Sequence, residues 1–112
     1  MMAPQLTRAL ILEDRVAVAD GAGGTVTEWQ PLGQLWAEMV PASAGTSSGP
    51  ARHTTRVTWR ITLRATPYAA PSRPQAGQRF REGERLYAIQ AVHEDGPSGR
   101  WLTCIAEEER AP

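Results

Sequence analysis

The sequence predicts an all-β fold, a small antiparallel β-barrel or sandwich of about six or seven strands with one long flexible loop. Three observations predict it. Val57, Trp59, Ile61 and Leu63 alternate with Arg56, Thr58, Arg60, Thr62 and Arg64, the period of two of a half-buried strand. Other short apolar runs are separated by reversal points rich in Gly, Pro and Asp. No apolar run has the length and 3.6-residue period of a substantial helix.

Along the chain, Leu10, Leu12, Val16 and Val18 share one parity and define a first long strand, with Glu13 and Asp14 interrupting it as a bend or bulge. Asp20-Gly21-Ala22-Gly23-Gly24 follows, where glycines permit positive φ and a tight reversal, so it reads as a hairpin tip. Residues 25–29 and 35–40 supply β-branched and aromatic residues on either side of Pro31-Leu32-Gly33. A helix over 32–40 would be held to about two turns by Pro31 and Pro41, and strand is preferred. Residues 42–55 are rich in Ala, Ser, Thr, Gly and Pro and offer little apolar burial to offset ordering, so a mobile loop is expected there. Residues 67–74 are a stiffer, proline-rich connection. Residues 78–81, 85–93 and 100–106 are the remaining strands, with a turn at 94–99 and a polar tail at 107–112.

The 112-residue length allows one domain, spanning residues 1–112. A chain of this size buries about 65% of its unfolded surface, so it folds with little margin and gains from burial in an assembly. All 12 basic residues are arginine and 12 residues are acidic, giving zero net charge. Neutrality argues against broad attraction to nucleic acid or an anionic membrane. The sum hides a segregated pattern, with arginines on the 56–64 strand and acids at 82–84 and 107–109. The apolar run at 9–12 is shorter than a signal core, and no stretch suits a transmembrane helix.

Catalytic chemistry needs convergent groups, and none converge here. The lone Cys104 reads as a small buried hydrophobe, and with His53 and His93 it gives an irregular, incomplete metal set. Glu82, Glu84 and residues 107–109 read as solvated turn and tail. Residues 21–24 lack the Gly-Lys-Ser/Thr ending of a phosphate loop. Neither catalytic residue, metal nor cofactor is expected. For binding there remain the Arg56, Arg60 and Arg64 face and four tryptophans. The arginines are read either as a contact surface or as a solvated strand face balanced by cross-strand Glu. Trp59 and Trp101 fit core packing, whereas Trp29 and Trp36 are left open to a surface or subunit contact. A barrel binding single-stranded nucleic acid through exposed tryptophans and the Arg face is the competing reading.

Taken in order, the pieces are more specific than any one of them. Residues 6–12 with Arg8, the Asp-Gly-x-Gly-Gly tip at 20–24, Glu28-Trp29, Leu35-Trp36-Ala37-Glu38-Met39-Val40-Pro41, a variable polar stretch, residues 57–64, Gly83-Glu84-Arg85-Leu86-Tyr87-Ala88-Ile89 and Arg100-Trp101-Leu102-Thr103-Cys104 succeed one another. This order resembles the head-tail joining or head-closure proteins, the stopper-type connectors of long-tailed bacteriophages, prophages and gene-transfer particles. The resemblance covers residues 6–108 and departs at 42–55, which is richer in Gly, Ser and Pro than the charged, helix-compatible segment of many relatives.

The resemblance implies a virion subunit assembled in the bacterial cytoplasm into a ring of roughly six or twelve copies. Such a ring lies beneath the portal and its adaptor, meets the tail terminator or tail tube on its other side, and retains the double-stranded DNA that passes through its channel. It involves no membrane. On this basis Gly45, Thr46, Ser47, Ser48, Gly49, Arg52 and His53 are expected to line the channel or meet an adjacent ring. Arg56, Arg60 and Arg64 are expected to make inter-subunit ion pairs, and the tip at Asp20, Gly21, Gly23 and Gly24 to make a contact.

Overall fold

Six strands form, β1 (Arg8–Ala19), β2 (Thr25–Thr46), β3 (Thr55–Arg64), β4 (Arg79–Glu82), β5 (Arg85–Asp95) and β6 (Trp101–Glu109). In this computed structural model, residues 3–46, 55–67, 70–96 and 98–109 are described, with the backbone alone at 43–46 and 55–56. All pairings are antiparallel, and the sheet closes on itself in the order β1-β2-β3-β6-β5-β4, with β4 returning to β1. Within the barrel, closure removes the open edges that an all-β chain must otherwise protect.

Alternation decides what faces the interior. Leu10 and Leu12 of β1, Ile61 and Leu63 of β3, Phe80 of β4, Tyr87 and Ile89 of β5, and Leu102, Cys104 and Ala106 of β6 fill the barrel. β2 contributes Ala37, the position at which it leaves β1 (Arg8↔Ala37) and meets β3 (Ala37↔Leu63). A methyl side chain fits where three strands converge.

The interruption at Glu13 is a bulge. Leu12 pairs with Gly33 and Glu13 with Pro31, so Leu32 is the extra residue, and it packs against the core. The bulge lets β2 run through Pro31-Leu32-Gly33 as one 22-residue strand where the sequence suggested two segments around a break. A second register shift, between Ile89 and Ala91, exchanges the faces of β5, so that Val92 packs against the core in place of Ala91.

Three expected boundaries are corrected. Residues 42–46 and 55, assigned to the loop, are strand, with Ser43↔Thr58, Ala44↔Val57, Gly45↔Arg56 and Thr46↔Thr55 in register. Backbone ladder bonds hold this segment without large side chains. Residues 47–54, the rest of that loop, lie outside the described residues. Glu107, Glu108 and Glu109, assigned to the tail, continue β6, because β5 and β3 offer them partners (Ala88↔Glu107, Tyr87↔Glu108, Thr58↔Glu107). Glu94 and Asp95 belong to β5 instead of the turn after it.

Candidate functional site

Beyond the bulge β1 and β2 leave the barrel as a two-stranded arm. β4 accompanies β1 only from Ile11 to Glu13, and β3 accompanies β2 only from Ala37. The arm is about 20 Å long at ~3.3 Å per residue over residues 14–19 and their partners. Its tip is fixed by Asp20, whose Oδ1 accepts hydrogen bonds from the amides of Ala22 (2.7 Å) and Gly24 (3.0 Å). These two bonds also hold the Asp20 carboxyl below the usual carboxylate range. Gly21 and Gly23 have φ of +82° and +87°, and a Cβ on Gly24 would lie 2.8 Å from Asp20 Oδ2. The predicted tip is therefore built as the residues suggested.

The arm is anchored at its root. Glu13 points out of the barrel and is nonetheless only 5% exposed, because Arg79 and Arg81 of β4 close over it with Nε–O distances of 2.7 and 2.9 Å. Burial opposes the Glu13 charge, but hydrogen bonds and charge from both arginines outweigh it and leave its pKa lowered. Arg79 also lies 4.0 Å above the ring of Trp29 on β2, so one guanidinium ties β4 to both strands of the arm. The sequence marked Glu13 only as an interruption. The signal that could have identified its partners is the Arg79-Phe80-Arg81 alternation, which puts two arginines on one face of β4.

Polar side chains cap the end of the barrel where β1 and β5 begin and β4 and β6 end. Arg8 holds Glu82 through Nε–Oε2 (2.7 Å) and Nη2–Oε1 (2.5 Å) bonds, and Tyr87 Oη donates to Glu82 Oε1 at 3.2 Å. Arg85 binds Glu108 through two bonds of 2.9 and 3.0 Å, and Trp59 Nε1 donates to the same Glu108 at 3.0 Å. Burial, with the nearby Glu82 charge, pushes the Tyr87 hydroxyl up to about 12. Glu82 and Glu108 are thus parts of the fold, not the solvated turn and tail expected, and Trp59 has the packed role expected of it.

The predicted basic face lies on the outside of β3. Arg60 and Arg64 are both exposed, on either side of the buried Thr62. Arg60 has Val40 and Ile105 as cross-strand neighbours, and it makes no ion pair among the described residues. Arg64 lies 5.4 Å above the ring of Trp101. Trp101 was expected in the core. Its register partner is the outward Arg64, so it lies half-buried on the outer face. With Arg100, Glu38, Asp95 and residues 3–5 these side chains line a groove of about 930 Å³. Two acids in the groove are engaged: Glu38 accepts the Gln5 amide at 2.9 Å and Asp95 accepts the Thr103 hydroxyl at 3.0 Å. Trp36, 55% exposed, and Val40 continue this outer face along β2.

Arg56 is the second residue of β3, its backbone opposite Gly45, and its side chain is outside the described residues. Gly45 and Thr46 end β2, whereas Ser47, Ser48, Gly49, Arg52 and His53 are outside the described residues. Cys104 is buried in the barrel, which pushes its thiol up to about 12. His93 is exposed, its Nδ1 3.1 Å from the Glu94 carbonyl. Among the described residues no group of His, Cys, Asp and Glu could hold a metal ion. The tryptophans do not form one stacking row: Trp29 lies under Arg79, Trp101 under Arg64, Trp59 packs against the core, and Trp36 alone of the four is more exposed than buried.

The fold is thus a barrel with a projecting arm and an outer arginine face. The family described as phage head completion protein matches residues 1–109. The chain belongs to this family. A solved chain from the "Virion of native gene transfer agent (GTA) particle" is 43% identical, with a TM-score of 0.83 over 97% of this chain and 100% of that one. No match was found among curated proteins. For this head completion protein the resemblance read from the order of its motifs is the correct one, and its all-β prediction is met by the closed barrel.

Proposed function

We propose that this chain is a structural connector subunit of a virion or phage-like particle, a stopper that forms a ring between the portal and its adaptor on one side and the tail on the other, retaining packaged double-stranded DNA. The observation that carries the reading is the likeness, over nearly all of both chains, to a protein of a gene transfer agent virion. The architecture suits it: no convergent acid–base pair or nucleophile is built among the described residues, and the surface carries a projecting arm and exposed arginines instead. The outer face of β3 docks a neighbouring subunit or ring through Arg60 and Arg64, with Trp36 as an apolar anchor beside them, the residue types that dominate protein interfaces.

Reversing both charges in Arg60→Glu with Arg64→Glu is expected to leave the barrel folded, since neither arginine makes an ion pair among the described residues. Ring formation and tail docking at physiological salt, read by native mass spectrometry and by the yield of tailed particles, are expected to fall by about tenfold or more. Unchanged assembly overturns this docking face.

The 47–54 segment is proposed to line the DNA path. Deleting residues 47–49 keeps the Thr46↔Thr55 rung and with it the fold. Heads carrying the deletion are expected to lose packaged DNA, measured as nuclease-accessible DNA per particle.

A further inference from the structure

Among the described residues both edges of the arm lack a further strand. Among the described residues β1 has no strand partner but β2 from Asp14 to Ala19, and β2 has no strand partner but β1 from Thr25 to Trp36. The direction of each backbone group follows from two bonds. The Asp20 amide donates across the hairpin to the Gly24 carbonyl at 3.1 Å, and the Arg15 amide donates to the side chain of Asp14 at 2.9 Å instead of to β2. In an antiparallel pair inward and outward residues alternate. Val16 and Val18 therefore bond within the hairpin, while Ala17 and Ala19 present amides and carbonyls outward on the β1 edge; Arg15 offers only its carbonyl, its amide being held by Asp14, and Pro71 and residues 75–78 face residues 14–17 across a cavity of about 570 Å³. By the same alternation Thr25, Thr27 and Trp29 present theirs outward on the β2 edge.

Arg15 and Glu28 put one charge on each edge, but between them and the tip residues 16–19 and 25–27 carry no proline and no charged side chain. Val16 and Val18 are half-buried and Val26 is 48% exposed, so the hairpin leaves apolar surface uncovered. A two-stranded ribbon is marginal in water by itself and gains from a third strand.

We infer that the third strand is the arm of a second copy of this chain, with the outward β1 edge of one subunit pairing with the outward β2 edge of the next. β1 runs toward the tip and β2 runs back. Arms that all point the same way therefore meet β1 against β2, which is antiparallel, the more stable pairing. Arg15, Ala17 and Ala19 share a face with Trp29, Thr27 and Thr25, so the outward residues of adjacent arms present their side chains to the same side, as directly opposed residues must. The contact is head-to-tail, each copy using both edges once, and such a contact propagates until it closes. This pairing rests on the ring reading above and specifies where neighbouring subunits join.

Proline at an edge position whose amide faces away from the sheet is tolerated, whereas proline facing the partner strand is not. Ala17→Pro is therefore expected to keep the barrel's thermal midpoint within a few degrees and to lower ring yield by about tenfold, one outward donor being lost at every interface. The variants Ala17→Cys and Thr27→Cys, each keeping the native Cys104 buried in the barrel, are expected to give a mixed disulfide dimer when mixed before assembly. The two positions pair within one arm, and placing them on different copies leaves only an intermolecular route. Rings that form without the mixed disulfide, or that form from Ala17→Pro at wild-type yield, overturn the arm pairing and leave the ring reading standing. A disulfide-free mixture that also yields no rings with portal and adaptor present overturns both. Protection of arm amides from hydrogen exchange only after adaptor is added, with no copy-to-copy disulfide, assigns the edges to another protein and likewise overturns the inference.

Discussion

Glu13 carries more of this structure than its place in the sequence suggests. It is a nearly buried carboxylate held by two guanidinium groups, so removing its charge leaves Arg79 and Arg81 facing each other without compensation. Glu13→Gln is expected to cost about 3 kcal/mol, the usual loss when one partner of a buried ion pair is removed, measured by chemical denaturation at neutral pH. The pH dependence has a definite sign. The folded pKa values of Glu13 and Glu82 lie below the ordinary 4.5, so the stability they contribute is present above about pH 4.5 and is lost as pH falls through their lowered values. Wild type should therefore show a steeper acid limb of stability than Glu13→Gln. At this scale the sequence was legible where one residue acts alone, as with the buried Cys104, and opaque where a role is shared. Nothing local tells that Glu13 meets arginines 66 and 68 residues away, or that Glu108 answers both Arg85 and Trp59.

The arm is the element whose shape the sequence states most fully, because turn chemistry is local. The tip at 20–24 contains its own instructions: two glycines at positive φ and an aspartate that caps two amides. Gly23→Ala places a Cβ where an L residue is disfavoured by about 1–2 kcal/mol. The expected outcome is faster amide exchange at the tip of the arm with no change at β5 and β6, read by hydrogen-exchange mass spectrometry on the isolated chain. Elements defined by pairing were harder to bound. The ends of β2 and β3 lack large side chains, and only the β2–β3 ladder extends them through 43–46, a contribution that no single residue advertises. The same holds for β6, whose three terminal glutamates look like a solvated tail until β5 supplies partners. Trp101 shows the other failure: Trp101, Thr103 and Ile105 carry the outward positions of β6, while Leu102, Cys104 and Ala106 turn inward, so placing Trp101 on the apolar parity of its strand put it on the wrong face.

For the whole molecule the central quantity is how seldom the barrel opens. Cys104 is fully buried, with its thiol pushed up to about 12, so it reports on opening without any added probe. A thiol reagent is expected to label it only on the timescale of global unfolding, and a variant that destabilises the whole barrel should accelerate labelling about tenfold for each ~1.4 kcal/mol lost. The fold was legible at this scale because binary patterning and turn signals set the class. The closing β1–β4 pairing was not, since it joins residues far apart in the chain and depends on a strand of four residues.

That short closure has a mechanical meaning. Among the described residues the backbone of β1 is fastened to β4 only at Ile11, Leu12 and Glu13, with the Arg8–Glu82 ion pair as a side-chain tie beyond them, while β2 is fastened to β1 along its entire first half. A pull on the arm runs along β1 and loads the three rungs of the seam together, in shear, the direction in which paired strands resist best. A sideways push on the tip instead uses the arm as a lever and peels the seam one rung at a time, beginning at Glu13. The two arginines clasped on that carboxylate stand at the first rung to be strained. Force along the arm is thus borne by the barrel, and force across it falls first on a single ion-paired joint.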